Sequence, residues 1–110
     1  MCRALVVLCV ADDPEGLAAL KASAVSAEWE LAPGATDLRS ALDQIDAERP
    51  HVMVAFGAHA ELVRIARERF PSMRIVTDRD TPGASVVATS LGEVRGTVLG
   101  LPRPGGPVGA

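Results

Sequence analysis

Aromatic side chains are scarce in this sequence, which has two Phe, one Trp and no Tyr among 110 residues. Proteins that bind single-stranded nucleic acid stack bases on several aromatic rings, so the scarcity argues against such a platform. Positive charge is also in deficit, because 14 acidic residues against 11 basic ones give a net charge of −3. A protein that binds the phosphate backbone needs the opposite balance. We therefore expect no direct nucleic-acid binding by this domain.

Long apolar runs and cysteine pairs are missing too. No apolar run approaches the roughly 20 residues that cross a membrane, and the apolar stretch at 4–10 is too short for a secretory signal. Cys2 and Cys9 lie on one predicted strand, where they cannot easily bridge. With two distant histidines, His51 and His59, they make a poor zinc set. These absences predict a cytoplasmic protein with reduced thiols, Cys9 as a small core residue, and no metal, cofactor or membrane contact.

Aliphatic residues, by contrast, are plentiful. Hydrophobic residues make up 48% of the sequence, which is enough for a core without disulfide or metal staples. The length fits one domain, which we place at residues 1–101. Residues 102–110 are rich in Pro and Gly, and this composition predicts a linker or a disordered tail.

Predicted strands and helices alternate along the chain. Continuous apolar runs indicate strands that are buried on both faces, and apolar residues at helical spacing indicate the helices between them. Strands are predicted at 5–10, 28–32, 51–56, 73–77 and 84–89. Helices are predicted at 14–24, from Thr36 or Asp37 to Pro50, from shortly after His59 to Pro71, and at 90–101. This order predicts an α/β fold with a doubly wound, mostly parallel sheet in three layers.

The alternation breaks after the fourth strand. A parallel crossover takes roughly a dozen residues or more, and the turn at 78–83 offers about half of that before the fifth strand begins. The helix expected there is missing. We therefore expect a truncated or rearranged C-terminal region. The last strand either pairs antiparallel with the fourth or is not its neighbour in the sheet.

Four segments of the chain resemble the receiver domain of bacterial response regulators. They are VLCVADDPEGLAAL, ALDQIDAERPHVMVAF, RIVTD and GASVVATS, and together they cover nearly all of the predicted folded part. The resemblance implies a flavodoxin-like (CheY-like) sheet with strand order 2-1-3-4-5. It also implies a site that phosphorylates an aspartate at the end of strand three. In that site Mg²⁺ is held with an acidic pair after strand one, and a Thr or Ser and a Lys end strands four and five.

The residues of this chain depart from that site at three of its five positions. Asp12 matches one acid of the pair and Thr77 matches the hydroxyl, but Ala11 stands for the second acid. Phe56 stands for the phosphoacceptor, and Ser90 stands for the lysine. Without a carboxylate at position 56 no acyl phosphate forms. The resemblance thus implies the fold and argues against the chemistry, and we expect the Phe56 ring to fill the former acidic pocket.

The missing helix has a consequence for the surface. It is expected to expose one flank of the sheet near Ile75, Val86 and Val87. Exposed apolar edges tend to be covered by a partner. The partner here is a second copy of the chain or another protein.

These features predict a non-catalytic pseudo-receiver that acts through protein contacts and without phosphorylation, as a homodimer or together with an output domain. The alternative is a small-molecule-sensing domain of a transcriptional regulator, with a pocket made apolar by Ala11, Phe56 and Ser90. A third reading is an enzyme on the same frame. His59, near a helix start, would be its base, but no nucleophile accompanies it in a known motif.

Several polar residues keep two interpretations. Asp12 and Asp13 form either a remnant metal site or a polar loop with a helix cap. Thr77 and Asp78 line a pocket or belong to a turn. The arginines of the third helix, at 64, 67 and 69, contact an anion or nucleotide, or form a solvated face.

Overall fold

The strands and helices follow the predicted alternation. The computed structural model describes residues 5–27 and 29–100. The strands are β1 (Leu5–Val10), β2 (Trp29–Leu31), β3 (Val52–Ala55), β4 (Arg74–Thr77) and β5 (Val86–Val87), and the helices are α1 (Pro14–Ala24), α2 (Leu38–Glu48), α3 (Ala60–Arg69) and α4 (Val94–Leu99). None of the helices in the described ranges is long and apolar enough to cross a membrane.

The five strands form one parallel sheet in the order β2-β1-β3-β4-β5. This is the order that the resemblance implies, so the predicted fold class is confirmed. β3 lies at the centre, with Val54 opposite Cys9 of β1 and Val76 of β4. All four residues of β3 are buried, as a strand covered on both faces requires.

Two aspartates begin the first two helices. The Oδ1 of Asp13 accepts the backbone N–H of Gly16 at 2.6 Å, and Pro14 occupies the first turn of α1, where its missing N–H costs nothing. Of the two predicted caps for α2, Asp37 is the one used, since its Oδ1 accepts the N–H of Ser40 at 2.7 Å. The hydrogen bonds of that cap lower the pKa of Asp37.

Helices cover the sheet on both faces and create two apolar clusters. The α2/α3 cluster comprises Leu8, Val10, Ala32, Ala35, Ala41, Ile45, Met53, Ala55, Leu62, Val63, Ala66, Met73 and Ile75. The α1/α4 cluster comprises Val7, Cys9, Leu20, Ala24, Trp29, Val52, Val54, Val76, Ala88, Val94 and Val98. The strand residues alternate between the two clusters, so each face of the sheet has its own aliphatic core.

The prediction for the last strand is wrong. β5 is a parallel neighbour of β4, with Val76 opposite Val86 and Thr77 opposite Val87. A full crossover is unnecessary because β5 has two residues and pairs with the second half of β4 alone. The loop between β4 and β5 therefore has to run back along only part of β4 instead of along its whole length.

The loop at 78–85 makes this return without a helix. It turns at Gly83, whose φ of 96° lies in the left-handed region, and the N–H of Ala84 bonds to the carbonyl of Thr81 at 3.0 Å. The loop lies against α3, since a Cβ on Gly83 would lie 3.3 Å from the Cγ1 of Val63. It thus occupies part of the space in which a helix was expected.

This packing also corrects the predicted exposed flank. Ile75 is fully buried in the α2/α3 cluster, and Val86 is half-buried. Val87 alone of the three is exposed, to 39% of its surface. The apolar flank is therefore smaller than predicted and lies at the edge strand.

The last helix is shorter than predicted. A 3₁₀ turn at Leu91–Glu93 precedes α4, in which Val94 and Val98 are buried. Leu91 belongs to the 3₁₀ turn instead of the helix and is 37% exposed. Predictions for Cys2, Glu28, Leu101 and the tail at 102–110 lie outside the described residues.

A histidine side chain extends the pairing between β1 and β3. The backbone N–H of Val6 donates to the Nδ1 of His51 at 3.0 Å, while the N–H of His51 donates to the carbonyl of Val6 at 2.8 Å. The imidazole therefore takes the place of a backbone acceptor at the start of β3. An N–H in a sheet that loses its acceptor carries a desolvation cost.

We expect His51→Ala to lower the free energy of unfolding by about 1–2 kcal/mol, because it leaves the Val6 N–H without an acceptor. His51→Asn is the matched control, since its amide oxygen can take the place of Nδ1, and it should retain more than half of the lost stability. Urea unfolding of the three proteins measures both effects. Equal losses in the Ala and Asn variants would show that the hydrogen bond contributes nothing.

Candidate functional site

The carboxyl ends of the parallel strands meet at one edge of the sheet, which is where ligands bind in open α/β folds. Ala11 follows β1, Phe56 follows β3, and Thr77 ends β4. The N–H of Phe56 donates to the carbonyl of Val10 at 2.9 Å, which keeps the end of β3 beside the end of β1. We call this region the carboxyl edge.

Phe56 is half-buried and packs against the α1/α4 cluster. Its ring therefore turns towards the core on one side of the sheet and leaves no carboxylate at the end of β3. Ala11 beside it is buried and joins its backbone N–H to the carbonyl of Ala35 at 3.1 Å. Two of the positions that carry acids in the resembling family are thus part of the apolar interior.

Asp12 is held by a histidine. Its Oδ1 lies 3.2 Å from the Nε2 of His59, which also lies 3.0 Å from the carbonyl of Phe56. Both neighbours of Nε2 are acceptors, so this nitrogen carries the proton. The Asp12 carboxylate lies over Gly57, whose φ is 110°, and an added Cβ there would overlap it. The Asp12 side chain is 63% exposed, whereas that of His59 is 10% exposed.

Asp78 is held by an arginine and a backbone amide. The Nε and Nη2 of Arg79 donate to its two carboxylate oxygens at 3.0 and 3.2 Å, and the N–H of Gly57 donates to Oδ1 at 3.2 Å. Burial acts to raise the pKa of Asp78, but these hydrogen bonds outweigh it, so the pKa is lower than usual. The contact with Asp78 raises the pKa of Arg79, and the negative charge of Asp12 acts in the same direction. Asp78 thus has a cationic partner, and Asp12 has a hydrogen-bond donor in the Nε2 of His59.

The other predicted residues have structural roles at this edge. Thr77 is buried, and its hydroxyl donates to the carbonyl of Arg79 at 2.6 Å, which belongs to the turn after β4. Ser90 is exposed and precedes the 3₁₀ turn, with no capping bond from its side chain. Asp13 caps α1 instead of joining Asp12, as one of its two interpretations predicted. Residues 5–27 and 29–100 contain no group of three His, Cys, Asp or Glu arranged to hold a metal.

A shallow groove of about 300 Å³ opens beside Asp12 and His59. Its further lining residues are Thr36, Asp37, Leu38, Ala58, Glu61 and Leu62. Three carboxylates on this lining make the groove acidic.

The thiol of Cys9 is unsuited to act as a nucleophile. Burial raises its pKa to about 12, despite the nearby charge of Lys21.

The contacts of His59 and Arg79 were not predicted from the sequence. His59 was considered as a base without a partner, and Arg79 was assigned to a turn. The sequence contains one local signal for this site. Gly57 directly follows a predicted buried strand, and His59 follows two residues later. Asp12 comes from the loop after β1, so spacing along the chain does not reveal its contact with His59, whereas Arg79 pairs with its immediate neighbour Asp78.

Solved structures with the same fold are receiver domains. The signal receiver domain of NarL from Mycobacterium tuberculosis superposes with a TM-score of 0.72 at 19% identity, covering 89% of this chain and 95% of that one. The CheY-like receiver domain from Methanospirillum hungatei gives a TM-score of 0.72 at 17% identity, with 88% and 92% covered. HP1043, an orphan response regulator of H. pylori, gives 0.68 at 11%, with 86% and 93% covered.

The match to the apo receiver domain of RcsB from Salmonella enterica serovar Typhimurium is less complete. It has a TM-score of 0.58 at 21% identity and covers 66% of this chain and 58% of that one. No protein-family model matches the sequence, and no curated protein sequence matches it significantly. At these identities the likeness establishes the CheY-like fold, and the role of the chain is a separate question.

We expect Asp78→Asn to destabilise the protein by about 1 kcal/mol near pH 7, because the Arg79 and Gly57 bonds then meet a neutral acceptor. The pKa of Asp78 is lowered by folding, so its contribution is present above the unfolded value near 3.8 and is lost as pH falls through the lower folded value. Wild type and variant should therefore converge in acid. Thermal unfolding between pH 2 and pH 7 (roughly the range set by carboxyl titration) measures this, with Asp80→Asn as control. A difference that does not depend on pH would contradict it.

Proposed function

We propose that this chain is a signalling module with a receiver fold that acts in the cytoplasm through protein contacts and without phosphorylation. The observation that carries the proposal is a carboxyl edge that lacks a phosphoacceptor and whose two acids, Asp12 and Asp78, already have hydrogen-bond donors. Asp12 is paired with His59, Asp78 is paired with Arg79, and Phe56 occupies the position of the phosphoacceptor.

The charges of this edge are poorly suited to Mg²⁺. A small divalent cation gives up its water reluctantly and needs several oxygens with uncompensated charge. Arg79 already supplies a fixed positive charge to Asp78 and lies within electrostatic reach of Asp12. Without a carboxylate after β3, there is also no oxygen to attack a phosphoryl donor. The packing of Phe56 into the α1/α4 cluster also disfavours an apolar ligand at this edge.

The surface that we assign to protein contact lies at β5. This strand pairs with β4 on one side, and on its other side no described strand covers it. Val87 of this strand is exposed to 39% at the open edge. Open edges with apolar side chains favour pairing with another chain, and we propose a second copy or an output domain as the partner.

Phosphorylation is tested directly by incubating the protein with acetyl phosphate and Mg²⁺ and recording the intact mass. We expect no added phosphate on the wild-type chain, because position 56 has no carboxylate. A stable phospho-adduct would overturn the proposal. A receiver domain with an intact acidic site, treated in parallel, shows that the reagent is active.

Phe56→Asp tests whether the scaffold tolerates the family's acid. We expect it to lower stability by about 1–2 kcal/mol, since a half-buried ring leaves the α1/α4 cluster. It should also remain unphosphorylated, because Ala11 and Ser90 still replace the second acid and the lysine. Phe56→Leu is the matched apolar control and should lose less. Phosphorylation of the Asp variant would show that the remaining edge is competent.

Self-association is tested by size-exclusion chromatography with light scattering. We expect a dimer at high concentration, and a monomer for Val87→Lys because a charge at the open edge opposes pairing. Val25→Lys is the control, since Val25 is 53% exposed at the end of α1, away from β5. A wild-type chain that stays monomeric would leave the output domain as the proposed partner. Equal loss of the dimer in both variants would remove β5 as the contact.

A further inference from the structure

We propose that the amino edge of the sheet, opposite the edge described above, carries a binding site for the phosphate group of a small phosphomonoester. A groove of about 320 Å³ lies there between the end of α2 and the turn after α3. Arg49, His51, Arg69, Phe70 and Ser72 are among its lining residues. This site is independent of the signalling role proposed above.

Two arginines share one aromatic ring in this groove. The guanidinium carbons of Arg49 and Arg69 lie 5.9 and 5.8 Å from the centroid of the Phe70 ring. The ring stabilises both cations and limits their freedom. Within residues 5–27 and 29–100, neither guanidinium has a carboxylate within 4.0 Å. Both guanidiniums line this one groove outside ion-pair range of a carboxylate, while Asp43 and Asp46 line a second groove together with Arg69. Two such cations on one lining favour an anion in the groove.

The backbone of Arg49 is a second, independent observation. It ends α2 with φ 50° and ψ 57°, and it is the sole described residue other than glycine with positive φ. Glycine is favoured at such helix ends, because a side chain there costs conformational energy. This outlier supports, beside the groove lining, a functional side chain at Arg49.

His51 adds a hydrogen-bond donor. Its Nδ1 accepts the N–H of Val6, so the neutral ring carries its proton on Nε2. Nε2 is bonded to no other described residue and is not buried without a partner. The hydroxyl of Ser72, which is exposed on the same lining, provides another donor.

The donor set suits a phosphate group. Two forked guanidiniums, one imidazole N–H and one hydroxyl offer more donors than the two oxygens of a carboxylate accept. A phosphate monoester presents three terminal oxygens and up to two negative charges, which arginine binds in bidentate fashion. The carboxyl edge offers no such site, because its one described arginine is paired with Asp78. The arginines of α3 were predicted either to contact an anion or to form a solvated face. In this proposal Arg69 contacts the anion, whereas Arg64 pairs with Glu68 at the surface.

The test is a titration of the ¹⁵N-labelled protein with inorganic phosphate and with AMP at constant ionic strength and pH. We expect saturable shifts confined to the amides of 49–51 and 70–73, with a dissociation constant on the order of 1 mM or tighter. Tighter binding of AMP would show that the groove also contacts the organic part. Equal binding would show that the phosphate group alone is recognised, and both results support the site.

Variants separate a built site from general charge attraction. Arg49→Gly keeps the backbone conformation that glycine favours and removes the guanidinium, so the fold is retained. It and Arg69→Gln should each weaken phosphate binding about tenfold, the loss of one charge-assisted contact. Arg95→Gln removes the same charge from α4, on the other face of the sheet, and should bind as wild type.

Three outcomes would overturn the proposal. They are shifts that never saturate or spread over the surface, an equal loss of affinity in Arg95→Gln, and equal saturable binding of acetate in place of phosphate. Circular dichroism spectra of all variants show that each is folded before its affinity is compared.

Discussion

The burial of β3 on both faces is the constraint on which the rest of the structure depends. Val52–Ala55 has a parallel neighbour on each side and an apolar cluster above and below, so it fixes the register of β1 and β4 beside it. The residues directly after it therefore emerge at the centre of the carboxyl edge. The residues at this central position are Phe56, Gly57 and His59.

The carboxyl edge and the amino edge differ in how their charges are compensated. At the carboxyl edge, Asp12 and Asp78 each have a nearby partner, and the aromatic ring beside them belongs to the core. At the amino edge, two guanidiniums lie against Phe70 without a carboxylate in ion-pair range among the described residues. A carboxylate that is already paired with an arginine, such as Asp78, has little reason to bind a further cation, whereas arginines outside ion-pair range can attract an anion. The proposed anion site therefore lies at the edge of the sheet opposite to the one where the resembling family has its phosphorylation site.

The helices and the order of the sheet were predictable because their signals are local. Asp13 and Pro14 mark the start of α1, and continuous aliphatic runs mark β1 and β3. The parallel pairing of β5 was not predictable in this way. Its prediction assumed a crossover along a full strand, whereas the loop at 78–85 returns over two paired residues and packs on α3. The burial of Ile75 follows from that loop and was missed for the same reason.

By itself, the sequence determined the fold class and the absence of a carboxylate after β3, because both depend on which residue types follow one another. It also identified Ala11, Phe56 and Ser90 as departures from the resembling family. The tertiary structure decided which side chains meet. His59 reaches Asp12, the N–H of Gly57 reaches Asp78, and Arg49 reaches the Phe70 ring, each across elements that are distant along the chain. Such contacts depend on the strand register and helix packing, which no local pattern encodes.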